Sequence, residues 1–230
     1  MRRENGSMIK RWLIFLVGLM VMSLGVVLMI EANLGVAPWD VLHIGLTKKI
    51  GLTVGTWSIL VGICIIVIAS LIMKEWPKSG ALINMLLVGV FIDTFRLFID
   101  TPTTIVGQYV MLFTGIIVIG YGIGLYIAPK CGAGPRDSLM IAITEKSGWK
   151  VQYVRAVMEI VVLSIGWSLG GPVFIGTILF SLTIGNIVGI TLPQCQRLVD
   201  RIIERGVKIE DFDKRTLRIN HHDGVSKEVR

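Results

Sequence analysis

The sequence predicts an all-α membrane protein. It should hold six transmembrane helices in two tandem units of three, with a short non-spanning helix after the first span of each unit. Three observations predict this. The 230-residue chain is 53% hydrophobic and only 17% charged, with a mean hydropathy of +0.73. Its apolar runs are about 20 residues long, enough to cross a hydrocarbon core of about 30 Å. One stretch is also written twice: Gly35-Val36-Ala37-Pro38-Trp39-Asp40 returns 97 residues later as Gly132-Ala133-Gly134-Pro135-Arg136-Asp137. From position 18 to 54, 14 of 37 residues match their counterparts at that offset. In an apolar chain, such a repeat is the usual trace of a transporter or channel fold.

The elements follow in order. Residues 1–11 are a basic segment carrying Arg2, Arg3, Lys10 and Arg11. The first span, 12–31, is too long for the apolar core of a signal peptide and lacks a small-x-small cleavage site. Residues 38–51 read as a short helix. Proline fits a first helical turn, where its missing N–H costs nothing, and Asp40 sits where the positive end of the dipole favours a carboxylate. Spans 53–73 and 80–99 complete the first unit, residues 12–101. The second unit, residues 102–193, repeats the plan with spans 108–128, 151–169 and 173–192 and a short helix over 135–148. In the later part of each unit the offset slips by one or two residues: Pro77, Gly80 and Gly89 fall opposite Pro172, Gly176 and Gly185, and Asp93 falls opposite Gly189.

The basic tail is residues 194–230. From Pro193 to Arg205, Leu198, Val199, Ile202 and Ile203 form an apolar face beside Arg197, Arg201 and Arg205. That pattern predicts a short amphipathic helix on the anionic inner leaflet, or docked on the inner ends of the spans. Residues 206–230 are polar and expected to be mobile.

Charge sets the orientation. Besides the N-terminus, Lys74 and Lys78 follow the second span, Lys130, Arg136, Lys146 and Lys150 lie between the fourth and fifth, and the tail is basic. The opposite side carries Lys48, Lys49 and Arg96. The positive-inside rule then puts both termini in the cytoplasm. Three spans per unit is an odd number, so the second unit enters the membrane inverted relative to the first. The competing arrangement makes 38–51 and 135–148 spans in a parallel 4+4 repeat. Fourteen helical residues reach only about 21 Å, however, and both stretches are charged.

The run Leu34-Gly35-Val36-Ala37-Pro38-Trp39-Asp40-Val41-Leu42-His43, followed by Gly51-Leu52-Thr53-Val54-Gly55-Thr56-Trp57-Ser58, resembles the bacterial YczE/YyaS/YitT-type group of small integral membrane proteins. The resemblance covers residues 10–195 and is YczE-like. It implies a multi-pass protein of the bacterial plasma membrane, with an accessory role in place of an enzymatic one.

Candidate functional residues fall in two sets. The first is Trp39, Asp40, Arg136 and Asp137. The two aspartates are helix-start residues on the plain reading. If the short helices are re-entrant, they face a polar cavity and border a substrate site. Trp39 suits a membrane interface, and Arg136 is either an orientation charge or a bidentate partner for a carboxylate or phosphate. His43 lies one turn beyond Asp40, and its repeat counterpart is Met140. The second set is intramembrane charge, which is costly unless paired or wet. Glu159, one turn after Arg155, and Asp93, three residues before Arg96, read as two structural ion pairs or as proton- or cation-coupling groups. Asn84 and Asn186 are explained by interhelical hydrogen bonds, and Gly120/Gly124, Gly166/Gly170 and Gly185/Gly189 by close helix packing.

No cofactor or metal is expected, and no enzyme. There is no Walker A, G-x-S-x-G, H-E-x-x-H or C-x-x-C motif, and Cys64, Cys131 and Cys195 lack metal spacing. His221-His222 is a weak metal candidate. The basic pI of about 9.5 is explained by topology, so nucleic acid is not an expected partner. The expected partners are the bilayer, whose anionic inner leaflet suits the tail, a small solute and a second copy of the chain. Two function classes result: a secondary transporter or channel for a small solute, or a non-transporting accessory or regulatory factor acting on a partner protein. A continuous polar cavity between the repeats discriminates them.

Overall fold

The computed structural model describes residues 2–77, 79–132 and 134–222, with side chains from 8 to 203 within these. It is all-helical, with eight helices and, among the described residues, no strand: α1 Arg2–Glu31, α2 Pro38–Ile50, α3 Val54–Met73, α4 Ser79–Phe95, α5 Ile105–Ile127, α6 Pro135–Ser147, α7 Val151–Ser168 and α8 Ile175–His222. Five stretches are long and apolar enough to cross a membrane: Met8–Glu31, Val54–Met73, Ile105–Ile127, Val151–Ser168 and Ile175–Ile203. The short helices stand where proline and aspartate mark them, 13 residues each, and Gly51 and Gly148 close them at positive φ.

Two expectations are corrected. The span drawn over 80–99 is a 17-residue helix ending at Phe95. Beyond it the chain tightens into turns, with Leu97 N–H donating to Thr94 O and Phe98 N–H to Phe95 O. Asp93 and Arg96 do not pair. Arg96 Nε donates to Glu31 Oε1 at 3.1 Å, beside Thr101 Oγ1 on Glu31 Oε2 at 2.8 Å. Asp93 accepts from the Gly55 N–H at 2.9 Å and from the Thr53 hydroxyl, at the start of α3. Each charge has a partner far away in sequence, which a spacing of three residues does not reveal.

The expected sixth span, 173–192, and the expected tail helix are one helix. α8 runs through Pro193 because its buried stripe continues without a break. Ile184, Thr191, Cys195 and Val199 are all buried, and the last two pack with Ala128, Ile14, Leu125 and Ile203. Thr191 Oγ1 also donates to Gly120 O at 2.8 Å. The tail's apolar face is therefore docked on α1 and α5 through Val199, while Leu198 and Ile202 stay exposed. Side chains beyond Ile203 and residues 223–230 lie outside the described residues. Of the segment 206–230 expected to be mobile, 206–222 continue α8 and 223–230 fall outside, as do the side chains of the metal candidate His221-His222.

The core is the α1–α5 pair, with α4 on α1 and α8 on α5. Glycines let the two backbones touch, so a Cβ at Gly18 would strike Tyr126 and one at Gly25 would strike Ile119. Reciprocally, Gly115 meets Met29 and Gly122 meets Met22. As numbering rises along α1 it falls along α5, so the helices are antiparallel. Each contact also has its mirror at the repeat offset.

The rest follows the same exchange. α2 packs on α7 and α6 on α3. Gly80 abuts Cys131 and Gly132, and Gly176 abuts Leu34 and Gly35. Positive φ recurs at matching places: Asn33 and Lys130, Gly35 and Gly132, Gly51 and Gly148, Lys74 and Gly170. Three packings lack a comparable counterpart: α1 on α8, α4 on α6 and, the largest, α3 on α4, since no comparable packing joins α7 to α8 among the described residues.

Candidate functional site

The reciprocal packing encloses a cavity of about 200 Å³ between the α1–α5 pair and the starts of α2 and α6. Extended residues Ala37 and Gly134 deliver the chain into those helices. The walls come in repeat-related pairs: Met22 and Ile119, Val61 and Met158, Pro38 and Pro135. Leu42 with Leu139 and Ile65 with Val162 pack in one cluster beside Trp39.

Five of the six predicted site residues line this cavity: Trp39, Asp40, Arg136, Asp137 and Glu159. Asp93 is not among the lining residues; it serves the start of α3 instead. Trp39 is not an interfacial anchor. It is 7% exposed, with the Arg136 guanidinium carbon 4.8 Å from its ring centroid. These two occupy matched positions of the doubled motif, 97 residues apart in the chain. Their contact is a cation–π interaction. The Arg136 side chain keeps 43% of its surface open, and its Nη2 is 4.0 Å from Asp40 Oδ1. That distance is an ion pair without a hydrogen bond.

The other charges are held more firmly. Asp137 Oδ2 accepts from the Tyr126 hydroxyl at 3.0 Å and the Gly134 N–H at 3.3 Å. Arg155 Nε donates to Glu159 Oε1 at 3.1 Å, with side chains 52% and 28% exposed. The i,i+4 pair expected from sequence is thus formed, and it opens onto the cavity. His43 is buried, with Nδ1 3.6 Å from Asp40 Oδ1 and no hydrogen-bond partner. Asn84 is buried at the cavity wall.

Sequence reasoning missed Tyr126. The available signal was a phenol within an otherwise apolar run, since a buried hydroxyl requires a partner. Chemically, the cavity is an apolar chamber crossed by three carboxylates and two guanidiniums. Pairing and open space make that arrangement tolerable inside a membrane protein. Apart from the Tyr126 hydroxyl on α5, the α1 and α5 walls are apolar, and the charged groups stand at the starts of α2 and α6 and on α7.

The model of a family of unknown function, DUF6198, matches residues 9–193. The chain is 45% identical over 200 residues to "Uncharacterized membrane protein YczE" of Bacillus subtilis (strain 168), covering 86% of this chain and 93% of the relative. It is 31% identical over 185 residues to an "Uncharacterized protein" of Haemophilus influenzae, covering 80% and 84%. It is 28% identical over 191 residues to "Uncharacterized protein YyaS" of Bacillus subtilis, covering 81% and 94%. No solved structure matches. The tail beyond residue 193 lies outside the family match.

Proposed function

Because the chain belongs to the DUF6198 family, as a YczE-like membrane protein, we propose that it is a secondary transporter or channel for a small solute. The observation that carries this reading is the charged cavity at the meeting point of the two halves. In repeat-built transporters the substrate site lies at the repeat interface, where interrupted helices present their ends.

In this reading the two halves are inverted 3+3 repeats in the bacterial plasma membrane, with both termini cytoplasmic. The antiparallel α1–α5 crossing and its mirrored contacts support an axis lying in the membrane plane. α4 then counts as the third span of its unit, its 17 residues reaching about 25 Å. The solute sits among Trp39, Asp40, Arg136 and Asp137. Arg136, open and without a hydrogen bond among the described residues, supplies the free polar contact. Glu159 is the coupling group, released and recaptured by Arg155 as the site is occupied.

The test is purified protein in liposomes, screened for solute-dependent proton or ion flux. Glu159→Gln should fold and express normally while losing the pH-dependence of flux. Unchanged pH-dependence would remove Glu159 from the mechanism, and an absence of flux with every solute class would count against transport.

A further inference from the structure

The largest break in the reciprocal packing is informative. On the first half, α3 closes on α4. Gly55 and Gly62 of α3 meet Gly89, Asp93 and Met85 of α4, and Ile59 covers Gly89. On the second half the same positions are Gln152 and Glu159 on α7 and Gly185, Gly189 and Ser181 on α8. There Gly185 and Gly189 have open space where a Cβ would stand, and Gln152 and Ala156 are exposed. Both helix pairs wall the cavity, through Ser58, Gly62 and Val88 on one side and Arg155, Glu159 and Ile184 on the other. The cavity therefore has one closed wall and one parted wall, built from equivalent positions.

We infer that the protein alternates between two packings in which α3–α4 and α7–α8 exchange the roles of closed and open gate, with Asp93 as the latch of the α3–α4 gate. The latch is visible: the Asp93 carboxylate takes the Gly55 N–H and the Thr53 hydroxyl. Its counterpart on α8 is Gly189, which has no side chain to latch with. The bare Gly185–Gly189 face is the seat for α7 in the other packing, as Gly89 and Asp93 are now the seat for α3. Two packings of one sequence differing by few kcal/mol are the physical basis of such exchanges. The inference rests on the transport reading above and adds to it which helices move and what holds one state.

The experiment is cross-linking in membranes of the full chain, with Cys64, Cys131 and Cys195 replaced by alanine. Ala156→Cys with Gly185→Cys reproduces the Ile59–Gly89 contact on the open side, and oxidation should join the two within one chain. Asp93→Ala should speed that joining roughly threefold or more, as expected from losing hydrogen bonds to a charged group. Asp93→Asn serves if the alanine variant does not fold. Failure to join within the chain, with both thiols reactive to maleimide, would overturn the proposal. So would joining only between chains, which would make this face a seat for a second copy. An unchanged rate in the Asp93 variants would remove the latch. No solute is needed. A chain that cross-links but moves nothing refutes transport alone, and one that carries flux without cross-linking refutes the gate alone.

Discussion

Arg136 keeps its charge in an unusual setting, resting on the Trp39 ring with a carboxylate just beyond hydrogen-bond range. A flat, delocalised cation suits that place and an ammonium does not. Arg136→Lys should therefore impair solute binding more than it impairs folding, read as a raised half-saturation for flux at unchanged melting temperature. Tyr126 is the contrasting case. Its hydroxyl holds Asp137 at 3.0 Å, so Tyr126→Phe leaves a carboxylate short of a donor. That change should cost about 1.5–3 kcal/mol, measurable by thermal unfolding in detergent. At the α1–α5 crossing the limiting quantity is space. Gly25→Leu would drive a side chain into Ile119 and Gly115, and overpacking of this kind costs about 1–3 kcal/mol. The same unfolding assay checks it.

At the scale of elements, α8 makes the clearest test. Its far end is held by Val199 among Ala128, Leu125 and Ile203, whereas Ile202 is exposed. Val199→Asp should detach that end and lower stability by several kcal/mol, while Ile202→Asp should shift it by no more than about 0.5 kcal/mol. The short helices α2 and α6 are legible in the sequence as helices, because a glycine-containing turn before proline, an aspartate two positions on and a closing glycine are local instructions. The end of α4 was not legible, because Leu97, Phe98 and Ile99 look like more of the same apolar helix. Asp93 and Arg96 looked like partners, yet each answers to a residue roughly 40 or 65 positions away in the chain. Pro193 looked like a break, yet the buried stripe on both sides of it outweighs the one lost hydrogen bond. Of the candidate site, five residues were legible because the repeat marks them or because charge is rare in apolar spans. Tyr126 and the parted wall depend on contacts that only the fold creates.

At the scale of the whole molecule, the two short helices end on opposite sides of the membrane if the halves are inverted. A cysteine replacing Ile50, at the end of α2, should label from outside intact cells. One replacing Ser147, at the end of α6, should label only after permeabilisation. Equal labelling of both from outside would make the halves parallel. The crossed embrace of the short helices, α2 on α7 and α6 on α3, has a consequence for how such a molecule comes together. Each half holds its own short helix by the lesser of its two contacts, α2 on α3 or α6 on α7, and offers the main bed for its sibling's. A lone half is an incomplete object, but two halves made as separate chains, residues 1–101 and 102–230, carry everything needed to find each other. Co-expressed, they should co-purify as a one-to-one complex, and either one made alone should be degraded.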